Sequence, residues 1–104
     1  MTNRKALSMV GLAMRAGKLS CGEMLTDKAL KSGKAYLLLT DEKASDRTIN
    51  EFSTACDSKG IPMRFLSEGE LAEAIGKPDR IIAAVTDMNF ARQIIKLIDG
   101  GVLI

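Results

Sequence analysis

The chain has 104 residues, 46% of them hydrophobic, a formal net charge of +2, two cysteines and no histidine. That length suits one domain with a core large enough to fold without disulfide or metal staples. The lack of histidine, with Cys21 and Cys56 far from CxxC spacing, argues against a zinc site; both read as free thiols in a reducing cytoplasm.

Ala6, Leu7, Val10, Ala13 and Met14 recur at helical spacing, so residues 3–15 read as an amphipathic helix that Ala16-Gly17 ends. Ser8, Gly11 and Arg15 interrupt the apolar residues, which rules out a signal-peptide core, and the other apolar runs are too short to span a membrane. Lys18–Cys21 reads as a short edge strand. A second helix starts near Gly22, runs to about Ser32 and stops at Gly33. Its spacing puts Met24, Lys28 and Lys31 on one exposed stripe and turns Leu25 and Ala29 toward the core.

Ala35–Thr40 is continuously apolar and reads as a strand covered on both faces. Asp41–Ala44 follows as a solvated turn. Ser45 is the N-cap of a third helix with Ile49, Phe52 and Cys56 on its inner face, ended by Lys59-Gly60. Met63–Leu66 is the next strand, and Ser67 with Glu70 forms a capping box for a short helix ending at Gly76. After the Lys77-Pro78-Asp79 turn, Arg80–Val85 is a second strand buried on both faces. Asp87 caps a last helix with Phe90, Ile94, Ile95 and Ile98 inward; Asp99–Gly101 closes it before the apolar tail Val102–Ile104. Helices alternating with buried strands predict an α/β/α sandwich around a small, mostly parallel mixed sheet, in one domain spanning residues 1–104.

Charge is unevenly distributed. Residues 1–34 carry seven Lys/Arg against two Asp/Glu, a local +5, while residues 35–104 carry eight against eleven, a local −3. A helix start at Gly22 leaves backbone N–H groups unpaired and partially positive, a setting that receives phosphates. Arg15, Lys18 and Lys34 flank that helix, so an acidic polymer would meet a positive rim around its start. The plainer alternative is a solvated face on which Glu23 and Asp27 cap and neutralise the helix.

GLAMRAGKLSCGE at Gly11–Glu23, KALKSGKAYLLLTDEKAS at Lys28–Ser45, GIP at Gly60–Pro62, AIGKPDR at Ala74–Arg80 and AAVTD at Ala83–Asp87 together resemble the bacterial YlxQ-like branch of the L-seven-Ae ribosomal-protein family. The resemblance covers nearly the whole chain. It implies a three-layer α/β/α fold and binding to RNA kink-turns, sharply bent junctions with tandem sheared G·A pairs, ribosomal RNA among the possible hosts. It also implies that Lys18–Lys31 enters the RNA groove and that Gly76–Arg80 holds extruded nucleotides. These segments, taken with the basic rim read from the charges, give as candidate RNA-binding residues Arg15, Gly17, Lys18, Gly22, Glu23, Met24, Lys28, Lys31, Lys34, Gly76, Lys77, Pro78, Asp79 and Arg80. The family's Gly-x-Asn-Glu falls on Gly22, Glu23, Met24 and Leu25, so its glycine matches while Met24 and Leu25 replace the Asn and Glu.

Rival readings rest on other residues. Asp41, Glu42 and Asp87 at strand ends could hold Mg²⁺ for phosphoryl transfer, although a turn and an N-cap explain them more simply. Cys21 beside a helix start and Lys18 could form a reactive thiolate. Leu12 and the tail could serve a protein-interaction or ribosome-assembly module. The resemblance favours a non-catalytic RNA binder with no cofactor, small-molecule substrate or membrane partner.

Overall fold

The computed structural model describes residues 2–100, so the Val102–Ile104 tail lies outside them. The elements run α1 (Arg4–Arg15), β1 (Leu19–Cys21), α2 (Glu23–Lys31), β2 (Leu37–Asp41), α3 (Asp46–Lys59), β3 (Met63–Leu66), α4 (Glu70–Ile75), β4 (Ile82–Val85) and α5 (Met88–Asp99). Every predicted element is present, with strand starts later than expected at β1, β2 and β4.

Side chains in β2 and β4 alternate between two apolar clusters, as a two-residue repeat requires. Leu37, Leu39, Ala83 and Val85 join Val10, Leu71 and Ile94 under α1, α4 and α5. Leu38, Ile82 and Ala84 join Leu30, Phe52 and Cys56 under α2 and α3. Both central strands are thereby buried on both faces, which explains their unbroken apolar runs.

The α/β/α layering and the mixed sheet agree with expectation; the balance within the sheet does not. The strand order is β1-β4-β2-β3, and only β2 and β3 pair in parallel. β4 lies between β1 and β2 and runs antiparallel to both. The cause is the 67–81 connection: it carries only the six-residue α4 and returns the chain at the same end of the sheet where β3 finished. β1, β2 and β3 point one way and β4 the other. The last residues of β1, β2 and β3 and the first of β4 therefore share one end of the sheet.

That end is braced by Asp41, the last residue of β2. It is buried rather than solvated as expected: its Oδ1 accepts from the Lys43 N–H at 2.7 Å and its Oδ2 from the Gly69 N–H at 2.8 Å. The capping box forms only in part, because the Glu70 N–H donates to the Ser67 carbonyl at 3.0 Å and not to its hydroxyl. Gly69, not Ser67, is the N-cap of α4, and Glu70 reaches back to accept from the Ser67 and Thr2 N–H groups. Asp41→Ala removes both hydrogen bonds that a charged carboxylate accepts across the two turns and is expected to cost about 2 kcal/mol, lowering the melting temperature by about 10 °C. Thermal unfolding followed by circular dichroism measures this; an unchanged midpoint would show that the turn holds itself. Ser45 and Asp87 cap α3 and α5 as predicted. At the far side, the Arg64 guanidinium forms a two-point pair with Asp99, both contacts 2.8 Å, and holds that carboxyl below its usual range.

Candidate nucleic-acid interface

The approach to α2 is set by two hydrogen bonds. The Gly22 N–H donates to the Ile82 carbonyl at 2.9 Å, extending the β1–β4 ladder by one residue, and the buried Thr26 hydroxyl donates to the Ser20 carbonyl at 3.3 Å. Gly22 is the N-cap of α2, at φ 91° and ψ 160°, a conformation in which a Cβ is strained. No side chain caps this helix start, so its first backbone donors and their partial positive charge face outward.

Thr26 also fixes the rotation of α2. With Thr26, Ala29 and Leu30 buried, Leu25 is turned out and is 51% exposed, contrary to the expected core position. Met24, expected on the outer stripe, is 83% exposed. Lys28 and Lys31 lie on that exposed side as well, but Lys31 is paired with Asp27 at 2.9 Å, which offsets its charge.

The second predicted segment lies directly beside the first. Gly76 ends α4 in the left-handed conformation, and the whole of Gly76–Arg80 is exposed. Asp79 adopts φ 63°, a region that Asp tolerates better than most side chains, and the turn delivers Arg80 to the head of β4. The Arg80 guanidinium stands 3.9 Å from the position a Cβ on Gly22 would occupy. The antiparallel β1–β4 pairing thus brings the Gly22 start of α2 beside Arg80 and the end of the Gly76–Arg80 turn, segments far apart in the chain.

Beneath this junction lies Cys21, whose thiol donates to the Met14 sulfur at 3.6 Å. Burial raises its pKa more than the neighbouring charges of Lys77 and Arg80 lower it, so the thiol stays protonated. This corrects the reactive-thiolate reading, which took Lys18 as the activating charge and left burial out. Burial likewise pushes the Cys56 thiol up to about 11.

The remaining cations do not close a ring around Gly22. Lys18 sits at the opposite end of β1, its carbonyl accepting from the Thr86 N–H, and is about 13 Å away at the usual rise per residue. Lys34 follows the far end of α2, about 14 Å along the helix axis from its start. Arg15 ends α1, with Gly17 in the turn just after it, and its guanidinium folds back over Gly11 along a 570 Å³ groove between α1 and α4. Leu12 lines the same groove. Lys28, Lys31 and Lys34 thus follow α2, and Arg80 stands beside its Gly22 start. Leu25 and the φ of Asp79 were the features the sequence did not signal. Among the described residues, no group of His, Cys, Asp and Glu could hold a metal ion, and no helix is long and apolar enough to cross a membrane.

Comparison with known proteins matches residues 4–95 to the ribosomal protein L7Ae/L30e/S12e/Gadd45 family. The chain is 35% identical over 100 residues to the RNA-binding protein YlxQ of Bacillus subtilis (strain 168), covering 95% of this chain and all of that protein. It is 36% identical to the RNA-binding protein YlxQ of Enterococcus faecium, covering 93% and 94%. Among solved structures, a protein of unknown function from Bacillus halodurans C superposes with a TM-score of 0.90 at 34% identity, over 94% of this chain and 100% of that one. The Giardia lamblia 15.5kD RNA binding protein shares the fold, with a TM-score of 0.76 at 20% identity over 95% and 92%. The glycine-opened helix beside a basic turn therefore sits in a chain that belongs to the YlxQ-like branch of the ribosomal protein L7Ae/L30e/S12e/Gadd45 family.

Proposed function

We propose that this protein is a non-catalytic RNA-binding protein that recognises kink-turn-like bent RNA, acting as one domain in cytoplasmic ribosome or ribonucleoprotein biology. The observation that carries this reading is the closeness of Arg80 to the Gly22 helix start: one uncapped, partially positive helix end and one exposed basic turn lie side by side. A straight duplex offers its two backbones along a regular groove. A sharp bend brings backbone and splayed nucleotides from both arms to one place, which is what two converging elements at one sheet end can hold together. The α2 start and Lys28 contact the groove near the bend, and Lys77 and Arg80 take the phosphates of the extruded nucleotides on either side of the stiff Pro78. Family membership and the relatives named as RNA-binding proteins support the RNA partner, and the motif resemblance supports the bent target.

A protein that binds the bent state more tightly than the extended one shifts the junction toward the bend by that difference in affinity. Fluorescence transfer across an end-labelled kink-turn is expected to rise on protein addition, and disrupting the G·A pairs is expected to abolish the rise. Equal binding of the intact kink-turn, the disrupted RNA and a straight duplex at physiological salt would reduce the function to a generic basic patch.

A further inference from the structure

Met24 and Leu25 are neighbouring apolar side chains held in solvent, 83% and 51% exposed, on a helix whose opposite side is fully buried. Their exposure is imposed, since the Thr26 bond to the Ser20 carbonyl fixes the helix rotation that turns both outward. They lie in the first turn of α2, after Gly22 and Glu23; the Arg80 guanidinium stands beside Gly22, and Lys28 lies one turn further along. The result is a small apolar tip on a helix that also carries Glu23, Asp27 and Lys28, with Arg80 standing at the helix start. A surface of that kind is complemented by a ligand that offers flat apolar area and negative charge in the same unit. An unstacked nucleotide does so, with a base face joined to a phosphate.

We propose that Met24 and Leu25 pack against the face of an unstacked base in the bound RNA while Lys28, Lys77 and Arg80 hold the adjoining phosphates. The proposal rests on the RNA-binding reading above and adds to it a contact made by apolar side chains. Leucine has no hydrogen-bonding group and methionine only a weakly accepting sulfur, so neither reads a base edge. The contact therefore adds affinity with little preference for base identity. It differs from the cation contacts in a second way: burying apolar area releases no counterions, so its loss leaves the salt dependence of binding unchanged.

The test uses the full chain with its methionine methyl groups labelled with ¹³C and an intact kink-turn RNA as the probe. The Met24 methyl signal, assigned by its absence in Met24→Ala, is expected to move upfield on RNA addition, because a methyl over a base face lies in the shielding region of the ring. The double variant Met24→Ala with Leu25→Ala is expected to bind about ten- to hundredfold more weakly, with an unchanged slope of log affinity against log salt. Both side chains being exposed, circular dichroism is expected to show a native fold. If the wild-type chain binds no structured RNA, the RNA reading itself fails. If it binds, and the methyl signal stays in place while the double variant retains full affinity, the apolar contact is wrong. Loss of self-association in the double variant by sedimentation, with RNA affinity intact, would overturn it in favour of a protein-facing surface.

Discussion

Gly22→Val is expected to lower affinity for a kink-turn by at least about a hundredfold while leaving the chain folded. The reason is conformational more than steric. A Cβ at this position would meet only the Arg80 guanidinium, at an ordinary contact distance of 3.9 Å. The φ of 91° is what valine cannot adopt without strain of about 1–3 kcal/mol, and relief of that strain rotates the peptide that donates to Ile82. The α2 start then shifts away from Arg80, and the two halves of the surface no longer address one ligand. The same strain predicts a melting temperature about 5–15 °C lower, which thermal unfolding would register independently of binding. Gel-shift titration decides the functional part: a folded valine variant with wild-type affinity would remove this helix start from the interface.

Lys77→Ala combined with Arg80→Ala is expected to weaken binding about ten- to hundredfold and to lower the slope of log affinity against log salt by about two, one for each lost phosphate contact. Both residues are exposed on the turn that meets Gly22, where two loop cations reach one ligand together. A matched variant, Lys18→Ala with Lys34→Ala, removes the same charge from the opposite end of the sheet and is expected to cost markedly less. Affinity measured over a series of salt concentrations separates the cases. If the two double variants lose equal affinity and equal slope, position on the fold is immaterial and only net charge counts.

The sequence made the elements and their caps legible because each depends on local chemistry: Ser45 and Asp87 cap the helices they were expected to cap, and glycines end α3 and α4. The points of departure depend on contacts beyond the local turn. Leu25 has the spacing of a core residue, yet Thr26 takes the inward position through its bond to Ser20. Asp41 has the composition of a solvated turn, yet the Gly69 N–H makes it a buried brace. The parallel bias inferred from alternating helices and strands reads β1, β2 and β3 correctly and fails at β4, whose reversal depends on where the 67–81 connection ends. The two candidate contact segments were each visible as sequence. Their adjacency was not, because it is produced by the pairing of β1 with β4.

That pairing has a consequence for when the molecule becomes competent. A ribosome delivers α1, β1 and α2 first, and β1 then waits without a sheet partner until Ile82–Val85 has been made, since β4 alone separates it from β2. Gly22 is synthesised early, but its N–H has no Ile82 carbonyl to meet, and Arg80 does not yet exist to stand beside it. Contacts between such distant segments form late in folding. A growing chain can carry most of its positive charge and still lack the paired surface. Completion of β4 marks the moment at which a merely basic polypeptide becomes a shaped one, and before it the surface proposed to hold RNA does not exist.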